Sequence, residues 1–263
     1  MEAEWLERYF ARVGYLGPRT PSLEALHALT AAHSRGIPFE NLDVLLGKGI
    51  DLAPDGVFAK LVEARRGGYC FEQNGLFLRV LTAIGFVASP MAARVHMGKP
   101  RDYLPPRTHL FVRVVLADGS VWLTDVGIGS MSLTAAIRFE LNLVQTTPHE
   151  PRRIVQDGER YFHQAWLGDH WQDVYQFTGE AMPAIDQELG NWYTSAHPHS
   201  HFRHDLMVAR PVADGGRLAL LKTELKQRAA DGHAQVTSVR SPEHLLDLLA
   251  THFDIHLPPG TRF

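Results

Sequence analysis

An α+β fold is what this sequence predicts, and three observations carry the prediction. Up to Gly85 the apolar residues recur at helical spacing. From Phe86 onward they gather in short β-branched runs cut by Asp-Gly and Gly-Asp pairs. Beyond residue 200 such runs lead into one well-capped helix. The chain is therefore expected to divide into a helical domain over 1–85, a β-domain with a connecting helix over 86–200, and a mixed α/β domain over 201–263.

The first helix covers Glu4–Val13, where Trp5, Leu6, Tyr9, Phe10 and Val13 share one face. Ser22 caps a second, carrying Leu23, Leu26 and Leu29 and stopped by Gly36 and Pro38; a serine oxygen satisfies first-turn N–H groups, and proline cannot continue a helix. A third is expected from Asp55 to Arg65, with Val57, Phe58, Leu61 and Val62 inward, ending at Gly67-Gly68. A fourth starts near Cys70 and stops at Gly85. Leu110–Leu116 and Val121–Val126 then read as a hairpin around Asp118-Gly119, followed by strands at Arg153–Val155, Tyr161–Leu167 and Trp171–Phe177. A helix over Pro183–Ser195 precedes a second hairpin, Leu206–Pro211 with Arg217–Lys226 around Asp214-Gly215-Gly216, and a strand at Gln235–Arg240. Ser241, Pro242 and Glu243 open a final helix carrying Leu245, Leu246, Leu248 and Leu249.

Composition narrows the function. The formal net charge is −3 and the basic residues are scattered, which argues against nucleic acid as a partner. No apolar run approaches the ~20 residues of a membrane span. The acidic, amphipathic N-terminus is unlike a secretion signal. One cysteine, Cys70, excludes both an internal disulfide and a cysteine-rich zinc site, so the chain is expected to be cytoplasmic, as a monomer or homodimer.

That cysteine is the leading candidate for chemistry. It follows Arg66-Gly67-Gly68-Tyr69 at an expected helix start, where free N–H groups and the helix dipole favour thiolate over thiol, and Arg65 and Arg66 are placed to add to that field. The plain alternative is a buried cysteine packing as a small hydrophobe. A thiolate nucleophile needs a base, and the base an orienting group. His109 opens one strand of the Asp118-Gly119 hairpin, and Asp125 lies near the end of the other. Side chains alternate along a strand, so a two-residue turn would put this pair on opposite faces. A three-residue loop, Ala117-Asp118-Gly119, sets His109 opposite Gly127 and Phe111 opposite Asp125, which makes His109 and Asp125 diagonal neighbours on one face. If the two share a proton, and are not a core or surface histidine and a turn-capping carboxylate, an odd loop with Gly119 at positive φ, or a compensating bulge, is expected.

The segment Arg66-Gly67-Gly68-Tyr69-Cys70-Phe71-Glu72-Gln73-Asn74 resembles the nucleophile motif of the arylamine N-acetyltransferases. The resemblance continues in order through Pro38-Phe39-Glu40-Asn41-Leu42, Thr108-His109, Asp125-Val126-Gly127, Asn191-Trp192-Tyr193 to His197-Pro198, and Phe253-Asp254-Ile255-His256-Leu257-Pro258. It implies a helical bundle, a barrel-like antiparallel β-domain and an α/β lid around a triad of the papain and transglutaminase kind. It also implies a transferase using acetyl-CoA as acyl donor, a thioester on the nucleophile, small arylamine or hydrazine acceptors, and no metal. Carried over by position, Cys70 is the nucleophile, His109 the base and Asp125 the orienter. Phe39, Val95, Ile128, Gly129 and Phe202 line the acyl and amine pocket, and Arg66 with Glu40 forms a buried ion pair bracing the nucleophile loop. Ile128 stands where an aromatic is common and Ala196 where Thr is common, so acceptor preference is the least transferable part.

Chemistry points the same way. Exchange of acetyl between two thiols is nearly even, and its onward transfer to a weakly basic aromatic amine is downhill. Two rivals share such a triad: an amide synthase closing a macrocycle in antibiotic biosynthesis, and a coenzyme A-independent cysteine hydrolase or transglutaminase. His197, His199, His201 and His204 have spacing that suits zinc on a strand but read better as solvated loop. No phosphate-binding glycine motif occurs, so coenzyme A needs scattered contacts; Lys99, Arg101 and Arg107 in the loop before His109 are candidates.

Overall fold

The computed structural model describes residues 2–263. Helices α1 (Glu2–Val13) and α2 (Leu23–Gly36) come first, and Ser22 caps α2 through a hydrogen bond from the Ala25 N–H. Strand β1 (Phe39–Glu40) and the short α3 (Leu42–Leu45) follow. The helix expected over 55–65 is instead α4 (Pro54–Phe58) running into a π-helical turn, Ala59–Glu63, although Val57, Phe58, Leu61 and Val62 are buried as expected. Helix α5 (Cys70–Ile84) ends at Gly85, whose φ of 101° closes it with a left-handed cap. Tyr9, Phe10, Leu26, Leu29, Phe77, Val80 and Leu81 form the centre of the core these helices share.

Two antiparallel sheets complete the fold. One has seven strands in the order β5-β4-β3-β2-β8-β7-β6, built from β2 (Val87–Val95), β3 (His109–Val115), β4 (Val121–Thr124), β5 (Ile137–Arg138), β6 (Arg152–Asp157), β7 (Arg160–Trp166) and β8 (Trp171–Phe177). The other has five, β1-β9-β10-β11-β12, adding β9 (Met207–Pro211), β10 (Arg217–Leu221), β11 (Glu224–Arg228) and β12 (Ala234–Ser238). Helix α6 (Ala184–Ala196) links the sheets in sequence, and α7 (Pro242–Phe253) packs Leu248, Leu249 and Phe253 against Val208, Leu220 and Leu225. The run Arg217–Lys226 is therefore not one strand. A tight turn with Lys222 at φ 54° splits it into β10 and β11.

The sheet order has a consequence for the site. Strand β1, from the first 85 residues, pairs with β9 through Phe39↔Ala209 and Glu40↔Val208. It also bridges Gly68 on its other side, and the Glu40 N–H donates to the Gly68 carbonyl at 3.0 Å. The approach to Cys70 is thus continuous with the sheet formed near the C-terminus.

Candidate active site

Cys70 is the first residue of α5, and the start of that helix is tied down from both ends. The Glu72 carboxylate accepts the Tyr69 N–H at 3.0 Å, a capping box that fixes the first turn. The glycines before it are required by crowding. A Cβ on Gly67 would lie 2.1 Å from the Pro38 oxygen, and one on Gly68 would lie 2.7 Å from Glu72 Oε2. Neither glycine has positive φ, so the pair serves close approach and not the flexibility its composition suggests.

Beneath the loop lies a charge network. Arg66 binds Glu40 at 2.6 Å and Asp43 at 3.3 Å, as the expected brace. Lys60 joins it, reaching Asp43 at 2.8 Å and Glu72 at 2.7 Å. In the sequence Lys60 is marked only as a lone cation beside the inward row Val57, Leu61. Burial works against the Lys60 charge, yet Glu72, Glu40 and Asp43 push its ammonium up to about 12. With Arg66 paired here and Arg65 turned outward to Asp254 at 2.7 Å, neither arginine lends a free charge to Cys70. The field at the sulfur comes from the helix start and from His109.

His109 and Asp125 meet on one face. The ladder runs Val112↔Thr124 to Val115↔Val121, the Leu116 N–H donates to Ser120 O at 3.0 Å, and Gly119 sits at φ 80°. This is the odd loop that the pairing requires. His109 Nε2 lies 2.7 Å from Asp125 Oδ2, and both residues are buried. The other carboxylate oxygen accepts the Asn74 side-chain amide at 2.9 Å and the Gly127 N–H at 3.0 Å. Asn74 also donates to Leu110 O at 2.7 Å and accepts the Val126 N–H at 3.0 Å, so one side chain of α5 clamps both ends of the hairpin. Burial disfavours the charged imidazole, but the Asp125 carboxylate outweighs it, and with Cys70 pushes His109 up to about 10. The Cys70 Sγ lies 3.6 Å from Thr108 O, next to that ring. Gly127 packs so tightly that a Cβ there would lie 2.8 Å from Cys70 Cα.

These groups open onto a cavity of about 580 Å³. Its lining includes Cys70, His109 and all five residues expected there: Phe39, Val95, Ile128, Gly129 and Phe202. Gly129, at φ 74°, lies against the Phe39 ring, and Phe39 and Phe202 meet edge to face at 6.3 Å. Met97, Tyr193, Thr194, His199 and His201 line it too, without having been singled out as pocket residues.

The basic loop differs from expectation. Arg101 is held by Asp173 at 2.7 Å, and Arg107 is paired with Glu180. Lys99 lines the cavity. The histidine cluster forms no strand: His197 caps α6 and stacks on Tyr193 at 4.5 Å, and His201 lies in a 3-10 turn. Among the described residues, no group of three or more His, Cys, Asp or Glu side chains is arranged to hold a metal ion.

A family model described as N-acetyltransferase matches residues 22–261, nearly the whole chain. The chain belongs to the arylamine N-acetyltransferase family. It is 44% identical to the arylamine N-acetyltransferase of Mycolicibacterium smegmatis over 95% of this chain and 91% of that one. It is 41% identical to a Salmonella typhimurium protein named arylamine N-acetyltransferase / N-hydroxyarylamine O-acetyltransferase, over 95% and 89%. Solved arylamine N-acetyltransferases share the fold. That of Salmonella typhimurium superposes with a TM-score of 0.89 at 40% identity, covering 95% of this chain and 90% of that one. One from Mycobacterium marinum, solved in complex with CoA, gives 0.91 at 36%, covering 95% and 92%.

Proposed function

We propose that this arylamine N-acetyltransferase moves an acetyl group from acetyl-CoA to an arylamine or arylhydrazine by a ping-pong route through a thioester on Cys70. The observation that carries the reading is the buried His109–Asp125 pair beside a helix-start cysteine, at the floor of an aromatic-lined cavity. In the first half-reaction the Cys70 sulfur attacks the thioester carbonyl; the bond to coenzyme A breaks, and His109 gives its proton to the departing thiolate. In the second, the amine nitrogen attacks the acetyl carbon, the bond to Cys70 breaks, and His109 takes the amine proton, which restores the starting pair. Asp125 keeps the ring oriented throughout and stabilises its charged form at the start and end of the cycle; between the two half-reactions the ring is neutral, ready to take the amine proton. An apolar wall of Phe39, Val95, Ile128 and Phe202 suits a ring whose amine is uncharged at neutral pH. The relatives favour this reading over the amide-synthase and hydrolase alternatives. No described helix is long and apolar enough to cross a membrane, and a nucleophile that works as a free thiol suits a reducing cytoplasm.

The test is the intact mass of the protein after mixing with acetyl-CoA and no amine. One acetyl group should appear, map to Cys70, vanish on adding an arylamine and be absent from Cys70→Ala. Intersecting double-reciprocal plots with no acetylated protein would overturn the reading.

A further inference from the structure

The stretch that follows Asp125 is irregular chain, yet it is held as firmly as a strand. Leu133 N–H donates to Asp125 O at 2.8 Å, closing a loop whose middle, Ile128 to Ser130, forms one wall of the cavity. At its exit three consecutive carbonyls each accept a hydrogen bond from a side chain of a different element. Met131 O takes Arg152 Nη2 at 3.1 Å from β6, Ser132 O takes Arg217 Nη1 at 3.1 Å from β10, and Leu133 O takes Ser34 Oγ at 2.7 Å from α2. Both arginines are buried, Arg152 completely and Arg217 with 3% exposure.

Glu150 holds them. It accepts Arg217 Nη2 at 2.7 Å and Arg152 Nη2 at 3.1 Å, and also pairs with Arg228. Burial alone would raise its carboxyl, but Arg217 and Arg152 outweigh burial and keep it well below the usual range, so it is an anion at any working pH. None of the cluster's hydrogen bonds goes to Cys70, His109 or Asp125 side chains. A buried ionic cluster of this kind is a weak source of stability compared with an apolar core. What the arginines gain by being here is position: each guanidinium has enough donors to grip Glu150 and still reach a carbonyl, which a lysine ammonium at the end of a flexible stem cannot match in geometry.

We propose that the Glu150–Arg152–Arg217 cluster is a positioning device for acceptor choice: by fixing the main chain at Met131 and Ser132 it sets the place of the Ile128–Ser130 wall, and so decides which amines the acetyl-enzyme accepts. This rests on the transferase reading above, and the two half-reactions separate their failures. Acetylation of Cys70 by acetyl-CoA reports the transferase chemistry; discharge by a series of arylamines differing in ring substituents reports the wall.

The variants are Arg217→Lys and Arg152→Lys, which keep the charge beside Glu150 but give up the guanidinium geometry at Ser132 O or Met131 O. The expected result is a fall in kcat/KM for bulky para-substituted amines of roughly three- to tenfold, about the worth of one hydrogen bond, with KM carrying most of it and a smaller change in the rate of Cys70 acetylation. The ranking of the amines should change. Ser34→Ala is a milder variant for the case where either lysine variant fails to fold, because it releases only Leu133 O; its ranking should shift in the same sense. Lysine variants that melt earlier but keep the amine ranking, or a Ser34→Ala protein with unchanged ranking, would overturn the proposal. No acetylation of the wild-type protein would instead sink the transferase reading.

Discussion

His109, pushed up to about 10 by Asp125 against the burial that favours a neutral ring, keeps its proton across the neutral range and presents Cys70 with a cation rather than a base waiting for one. The sign of the pH effect follows. A raised histidine pKa means that the stabilising charge is fully present below about 6.5 and is lost only as pH climbs through about 10. Alkylation of Cys70 by iodoacetamide should therefore be nearly flat between mildly acidic and mildly alkaline pH. In Asp125→Asn the ring loses its counter-charge, and the same profile should rise with pH as for a free thiol near 8.5. Acetyl transfer by that variant should drop by roughly 10²–10⁴-fold. A wild-type alkylation rate that climbs only above pH 8 would remove the charged pair. Cys70 was legible in the sequence because the motif around it is local, and the His109–Asp125 pair because the family resemblance points to it and strand parity permits it. Lys60, Asn74's double clamp and the Glu150 cluster were not, since each acquires its meaning from partners far away in the chain.

Among the elements, those that carry their own punctuation were the readable ones. Helices α2 and α7 announce themselves with Ser22 and Ser241, and both serines accept the expected first-turn N–H. Strand β1 has only two residues and exists because β9 and Gly68 lie on either side of it; nothing in Phe39-Glu40 alone specifies it. The turn at Lys222 lacks a glycine, which hid the boundary between β10 and β11. Three helices are joined by one chain of side chains that no single segment reveals. Tyr9 OH meets His33 Nδ1 at 2.8 Å, His33 Nε2 meets Gln73 Oε1 at 2.7 Å, and the Gln73 amide donates to Pro38 O at 2.8 Å. The Gln73 oxygen can only accept, so His33 donates from Nε2, and in the neutral ring that burial favours Nδ1 accepts the Tyr9 O–H. Burial lowers His33 to about 4. Its contribution to stability is therefore present above about 6.5 and lost as pH falls toward 4, amounting to roughly 3 kcal/mol at the acid end. Thermal midpoints measured from pH 7 to pH 4 should fall less steeply in His33→Gln than in the wild type, although the variant starts lower. Parallel slopes would show that another group governs acid unfolding.

For the whole molecule, the notable fact is how much of the support around Cys70 comes from the far end of the chain. Asn41 donates to Phe202 O and Asp205 O, both at 2.8 Å, and accepts the Met207 N–H at 2.9 Å. Met207, Val208 and Ala209 also form part of the cavity wall. A fragment ending at residue 206 would strip β1 of its strand partner and leave Leu42 without the Val208 and Leu249 cluster it packs in. Such a fragment is expected to lack a cooperative melt and to show no acetyl-Cys70 after acetyl-CoA. If it formed the thioester at the full-length rate, the C-terminal sheet would be dispensable for the first half-reaction and its role confined to the acceptor.

The solitary thiol gives the experimenter a counting device. Because Cys70 is the chain's only cysteine and lines the cavity, every sulfur that a chromogenic disulfide consumes is that of Cys70. The ratio of titrated thiol to protein is then the fraction of a preparation whose Cys70 is still reduced. A fluorophore or isotopic tag attached there lands in the cavity without any background to engineer away. Oxidation of a stored sample at Cys70 is read from the same titration.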